Sequence, residues 1–217
     1  MCFSAPASFA TAVVTGVIGI VAISRTTQRR ELPLALVPLI FAIQQGIEGV
    51  LWLTLPEDTP AVSFGGLVNA YLFFAQVFWP VFAPFAVLTM ERGEGRRRLI
   101  WALQVLGAAV GAYFLVGLLT HPHSAAIIDD HIVYATEYRF PLALGGAYLA
   151  ATSLPMLLST RRTVVMLGGI VALGCVVAYL AYWQSFASVW CFFAAGASSI
   201  ILAHFALIRR AAIQRSA

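Results

Sequence analysis

No lysine occurs in the chain, and all thirteen basic residues are arginine. Without a side-chain amine no Schiff base can form, which excludes retinal as a cofactor. Charge of either sign is scarce, with 10% charged residues against 61% hydrophobic ones over 217 positions. A soluble domain of that length would have too little polar surface to cover its core. Cysteine is limited to Cys2, Cys175 and Cys191 with no CxxC spacing, so a thioredoxin-like or vitamin K reductase-like redox motif is missing. Also absent are a GxSxG elbow, a Walker loop, an HExxH pair and a paired-aspartate site, which leaves intramembrane hydrolysis without a nucleophile. No internal repeat is visible, so the inverted-repeat argument for a transporter has no footing.

What is present is a succession of apolar runs, each long enough to cross a hydrocarbon core of about 20 residues. The expected fold class is all-α: a polytopic membrane bundle of seven transmembrane helices forming a single domain, with the lipid bilayer as its solvent. Hydropathy places the spans at about 6–24, 33–55, 63–89, 99–119, 139–159, 164–184 and 188–208. No basic segment precedes the first run, whereas Arg25, Arg29 and Arg30 follow it, so it reads as a retained helix rather than a signal peptide.

The connections set the orientation. RTTQRRE, ERGEGRRR, STRRT and the tail RRAAIQRSA alternate with acidic or neutral segments, so twelve of thirteen arginines fall on one side and only Arg139 sits opposite. Positively charged loops resist translocation, which makes the arginine-rich side cytoplasmic, the N-terminus outer and the C-terminus cytoplasmic in a bacterial inner membrane. The same placement accounts for the pI near 9.3 without nucleic acid. The 19-residue segment Thr120–Tyr138 is the one long connection and reads as a small outer hairpin around Asp129 and Asp130. Pro38, Pro80, Pro84 and Pro155 lie inside spans and are expected to kink them, each freeing a carbonyl that a neighbouring helix or hydroxyl must satisfy. Gly107 and Gly111 form a GxxxG, read first as ordinary close helix packing.

Glu48 is the acidic residue that falls within a span, where a carboxylate costs at least about 2.5 kcal/mol. Gln45, Glu48 and Trp52 share a helix face, with Gln44 four residues before Glu48. In the third span Asn69 and Gln76 are seven apart and also share a face. Counting helical rise, Glu48 and Asn69 each lie roughly 8–10 Å below the outer surface, and Tyr113, Tyr148, Tyr179 and Cys191 fall in the outer half of their spans. An outward-opening polar pocket built from Gln45, Glu48, Asn69, Gln76, Tyr148 and Tyr179 follows as the expected ligand site. The competing reading is a structural hydrogen-bond cluster around a protonated Glu48.

Cys2 and Cys191 belong to the same side, which leaves a disulfide, a soft-metal pair and simple packing open. With Glu48 they make the candidate metal ligands, for a transition metal such as copper or zinc. His121, His123 and His131 beside Asp129 and Asp130 read first as a solvated polar loop, and His204 as a helix-end residue. No second histidine faces His204 within the bilayer, so haem is not expected. Tyr138 and Arg139 read as interfacial anchors, with recognition of an anionic group as the alternative.

The start MCFSAPASF, the run QQGIEGVLW in the second span and VWCFFAAGAS in the seventh together resemble a family of small, uncharacterised bacterial integral membrane proteins. The resemblance spans nearly the whole chain. It implies the membrane fold, transfers no catalytic residue, and groups Cys2, Ser4, Glu48 and Cys191 for testing. Three functions are carried forward. The first is binding or transport of a small molecule or cation at Glu48, and the second a metal- or thiol-dependent membrane enzyme using Cys2, Glu48 and Cys191. The third is a sensor or assembly subunit associating through small-residue faces, with oligomerisation left open.

Overall fold

The computed structural model describes residues 4–55, 61–62, 66–137, 142–181 and 196–206. Helix α1 spans Ala5–Arg25, and after a short 3-10 turn at Arg29–Glu31 the chain returns as α2, Leu32–Thr54. Ser4 caps α1, its hydroxyl accepting from the Ala7 N–H at 3.4 Å with Pro6 in the first turn. That geometry gives one residue of the MCFSAPASF motif a helix-capping role. α1 presents Ser8, Thr15, Gly19 and Ala22 to α2. A Cβ on Gly19 would stand 2.7 Å from the Leu39 backbone nitrogen, so only hydrogen permits that approach.

The next rod is continuous but not uniform: α3 (Gly66–Leu72), a π-helical stretch Phe73–Phe78, then α4 (Trp79–Leu88). It is followed by α5 (Glu94–Thr120), α6 (Leu142–Leu157), α7 (Arg162–Ala181) and α8 (Gly196–Ala206). Among the described residues, α1, the rod containing α2, the α3–α4 rod and α5 are long and apolar enough to cross a membrane. At 1.5 Å per residue the 23-residue α2 reaches about 35 Å, more than a hydrocarbon core of ~30 Å.

Strands β1 (Ala61–Val62), β2 (His123–Ile128) and β3 (His131–Thr136) form an antiparallel sheet in that order. The β2–β3 turn is Asp129–Asp130, with φ of 48° and 57°. Both residues are left-handed, as a type I′ turn requires, and Asp tolerates that region better than most side chains. The sheet docks on α3 through Tyr71 stacked on Tyr134, ring centroids 4.7 Å apart. β1 departs from the all-α expectation beyond the hairpin, since a two-residue strand carries no periodicity to read.

Candidate functional site

Gln44, Gln45 and Glu48 are fully buried on α2. Positions three apart on a helix are neighbours, and Gln45 Nε2 donates to Glu48 Oε2 at 3.0 Å. Gln44 turns toward α4, where Trp79 Nε1 donates to its Oε1 at 2.7 Å. The indole stacks on Phe41 with centroids 4.0 Å apart, tying two turns of α2 to α4. One turn beyond Glu48, Trp52 Nε1 is buried with no partner among the described residues, as is Asn69 Oδ1 on α3. A buried donor or acceptor left open can be satisfied by a small polar ligand or ordered water.

The remaining residues of the expected pocket lie on α6, α7 and the π-helical stretch before α4. Tyr148 is buried, but its hydroxyl donates to the Ala75 carbonyl at 2.5 Å. The reason lies in the π stretch. Trp79 N–H bonds back to Phe74 O, so the Ala75 carbonyl is shifted toward Pro80, which has no N–H to give. Tyr148 therefore completes the backbone of the proline rod. Gln76 lies half-buried in that stretch, and Tyr179 lies on α7 with its side chain outside the described residues, as do Cys2, Tyr138, Arg139 and Cys191. Tyr113, expected in the outer polar half, is 44% exposed on the flank of α5.

A second buried polar cluster occupies the end of the helices next to the arginine-rich connections. Arg161 Nη2 donates to Glu31 Oε1 at 2.8 Å, with Glu31 1% exposed. Glu91 Oε2 accepts the Thr160 backbone N–H at 3.0 Å and its hydroxyl at 3.3 Å. His204 on α8 is buried and hydrogen-bonded through Nδ1 to the Thr163 hydroxyl, within electrostatic reach of Arg161. Glu31 Oε2, Glu91 Oε1 and His204 Nε2 are buried without a partner among the described residues. Sequence reasoning missed this cluster because Glu31 and Arg161 lie 130 residues apart, each inside a charge-rich connection that orientation alone explains.

Between the two clusters lies a cavity of about 40 Å³, room for one or two waters by volume. Its lining is apolar, with Leu34 and Phe41 from α2, Trp79 and Val87 from α4, Met156 from α6 and Leu167 from α7 among its walls. The expected pocket was polar and lay around Glu48; this cavity is apolar, has Phe41 and Trp79 among its walls and does not include Glu48.

At the sheet, burial pushes the His123 imidazole below its usual value near 6.5, the charge of His121 adding to the effect and Glu137 opposing it. No three His, Cys, Asp or Glu side chains among the described residues are grouped to hold a metal ion. Of the histidines at the sheet His131 serves the turn, its Nδ1 meeting the Asp129 carbonyl at 2.5 Å, while His121 Nδ1 meets the Thr120 hydroxyl at 2.8 Å.

The sequence matches DUF6629, a family of unknown function, over residues 1–217. The chain belongs to the DUF6629 family. Neither the curated proteins nor the solved structures contain a match to it. Membership in DUF6629 therefore agrees with the uncharacterised family that the motifs resemble, and it carries no activity with it.

Proposed function

We propose that this DUF6629 protein is a seven-span membrane protein whose Glu48 site takes up a small cation or a proton. The observation that carries the reading is a fully buried carboxyl, bonded by Gln45, one turn from the open Trp52 Nε1 and packed in the α2–α3 region that holds the open Asn69 Oδ1. Ionisable groups inside a membrane bundle are costly and persist where they bind or move charge. The adjoining π stretch supports it, since such irregularities concentrate at functional positions. Gln45, Glu48 and Asn69 form the core of the site, with Gln76 and Tyr179 as contributors from neighbouring helices.

The test uses purified protein in detergent, titrated with sodium, potassium, magnesium and calcium, and separately with acid. A cation at about 100 times its Kd stabilises the folded state by ~2.7 kcal/mol, a rise of about 5–10 °C in Tm for a chain of this length. Wild type is expected to show that rise with one cation and Glu48→Gln to lack it. For a proton, the infrared carboxyl band that titrates in wild type is expected to vanish in Glu48→Gln. If both proteins respond identically to every cation and to acid, the reading is wrong.

A further inference from the structure

Four members of the second cluster stand three or four residues along the chain from a wall of the apolar cavity. Leu34 follows Glu31 by three residues. Val87 precedes Glu91 by four, and the Glu91 N–H bonds back to the Val87 carbonyl at 3.1 Å. Met156 precedes Thr160 by four, and Leu167 follows Thr163 by four. The four segments that line the cavity thus each run into the cluster, to which α8 adds His204. At its far end the cavity stops at Phe41 and Trp79, whose indole is held by Gln44 in the Glu48 cluster. From Glu31 to Gln44 the distance along α2 is ~20 Å.

We infer that the Glu31–Arg161 ion pair and the hold of Glu91 on Thr160 form a releasable gate that closes the apolar cavity, and the route past it toward Glu48, at the arginine-rich end. The chemistry favours release over a permanent rivet. Glu31 and Glu91 each use one carboxylate oxygen on the α6–α7 connection while the other is buried without a partner among the described residues. Half-satisfied buried charge is an expensive way to join helices. Opening would let water reach both free oxygens, while the apolar cavity behind them resists wetting until the connection moves. Arg161 is suited to this position: its side chain is 26% exposed, so the pair sits at the water boundary.

The inference rests on the Glu48 reading only in treating the cavity as a route toward that carboxyl, and its test reads solvent access rather than ligand binding. The two can therefore fail separately. The probe is Leu167→Cys in a background carrying Cys2→Ala, Cys175→Ala and Cys191→Ala, reconstituted in nanodiscs and treated with a charged methanethiosulfonate reagent. Ala135→Cys, on the exposed edge of β3, serves as the reference site. Glu31→Gln or Arg161→Gln should raise labelling at Leu167→Cys by at least about tenfold and leave Ala135→Cys unchanged. Exchanging the pair, Glu31→Arg with Arg161→Glu, should bring the rate back toward the parent. Monodisperse single variants labelled at the parent rate, or an exchanged pair labelled as fast as the singles, would overturn the gate. Should those variants not fold, hydrogen exchange of segment 158–167 decides in the native-cysteine protein. Faster exchange in Glu91→Gln than in wild type supports the gate, and equal exchange refutes it.

Discussion

Two buried carboxylates on one helical rod were unequally visible. Glu48 stands alone in an apolar run, and its contact with Gln45 follows from a three-residue spacing that any helix imposes. Glu31 sits in RTTQRRE among arginines, and nothing local distinguishes it from a solvated loop acid; its burial depends on Arg161 arriving from the other end of the chain. His123 is a third case, since its burial follows from the sheet's docking on the bundle. Its depressed pKa has a consequence for stability. The unfolded chain takes up a proton near pH 6.5 while the folded imidazole resists it, so stability is fully present above that pH and is lost as pH falls toward the folded-state value. Unfolding midpoints measured between about pH 8 and pH 5 should decline through the lower part of this range, and His123→Asn should flatten the decline.

The proline-bearing rod shows how local chemistry becomes packing between elements. Pro80 leaves the Ala75 carbonyl to Tyr148 of α6, and Gln104 of α5 donates to the Val81 carbonyl at 3.1 Å. Between these bonds the GxxxG of α5 lies on bare backbone. A Cβ on Gly107 would stand 1.8 Å from the Pro80 oxygen and one on Gly111 2.9 Å from the Val77 oxygen. The small-residue face is thus occupied inside the chain, which removes the one sequence feature that favoured an assembly subunit. Gly107→Ala is expected to lower stability by about 3 kcal/mol, the upper end of the usual cost of overpacking, because the obstacle is backbone that cannot rotate away. Gly146→Ala in α6, where nothing lies within 4 Å, should instead gain about 0.5–1 kcal/mol from helix propensity. Thermal unfolding of the two variants beside wild type separates close approach from propensity; equal effects would contradict the packing described.

At the scale of the whole molecule, the helices present two polar levels separated by an apolar one. Glu48 and its amides lie toward the sheet, Glu31, Glu91, Arg161 and His204 toward the arginine-rich connections, and the cavity between them. The Glu48 reading and the gate are statements about these two levels. Their sidedness rests on the arginine asymmetry, which requires an odd number of crossings. A reporter active only in the cytoplasm, fused behind Ala217 and expressed in a bacterial host, should be active, and one active only outside should be silent. The reverse pattern would invert the proposed orientation.

Hydropathy alone was enough to locate the four runs whose helices are long and apolar enough to cross a membrane, because such a helix is dictated by residues that are contiguous in the chain. The Gln45–Glu48 bond was legible for the same reason, and so was the demand that a proline-freed carbonyl find a hydroxyl. Which hydroxyl answered, that of Tyr148, was decided by tertiary structure. So were the joining of Glu31 to Arg161 and the apolar cavity enclosed by α2, α4, α6 and α7. Spacing along one helix specifies neighbours within about two turns; contacts between residues 73 or 130 positions apart depend on how the rods dock, which no local pattern encodes.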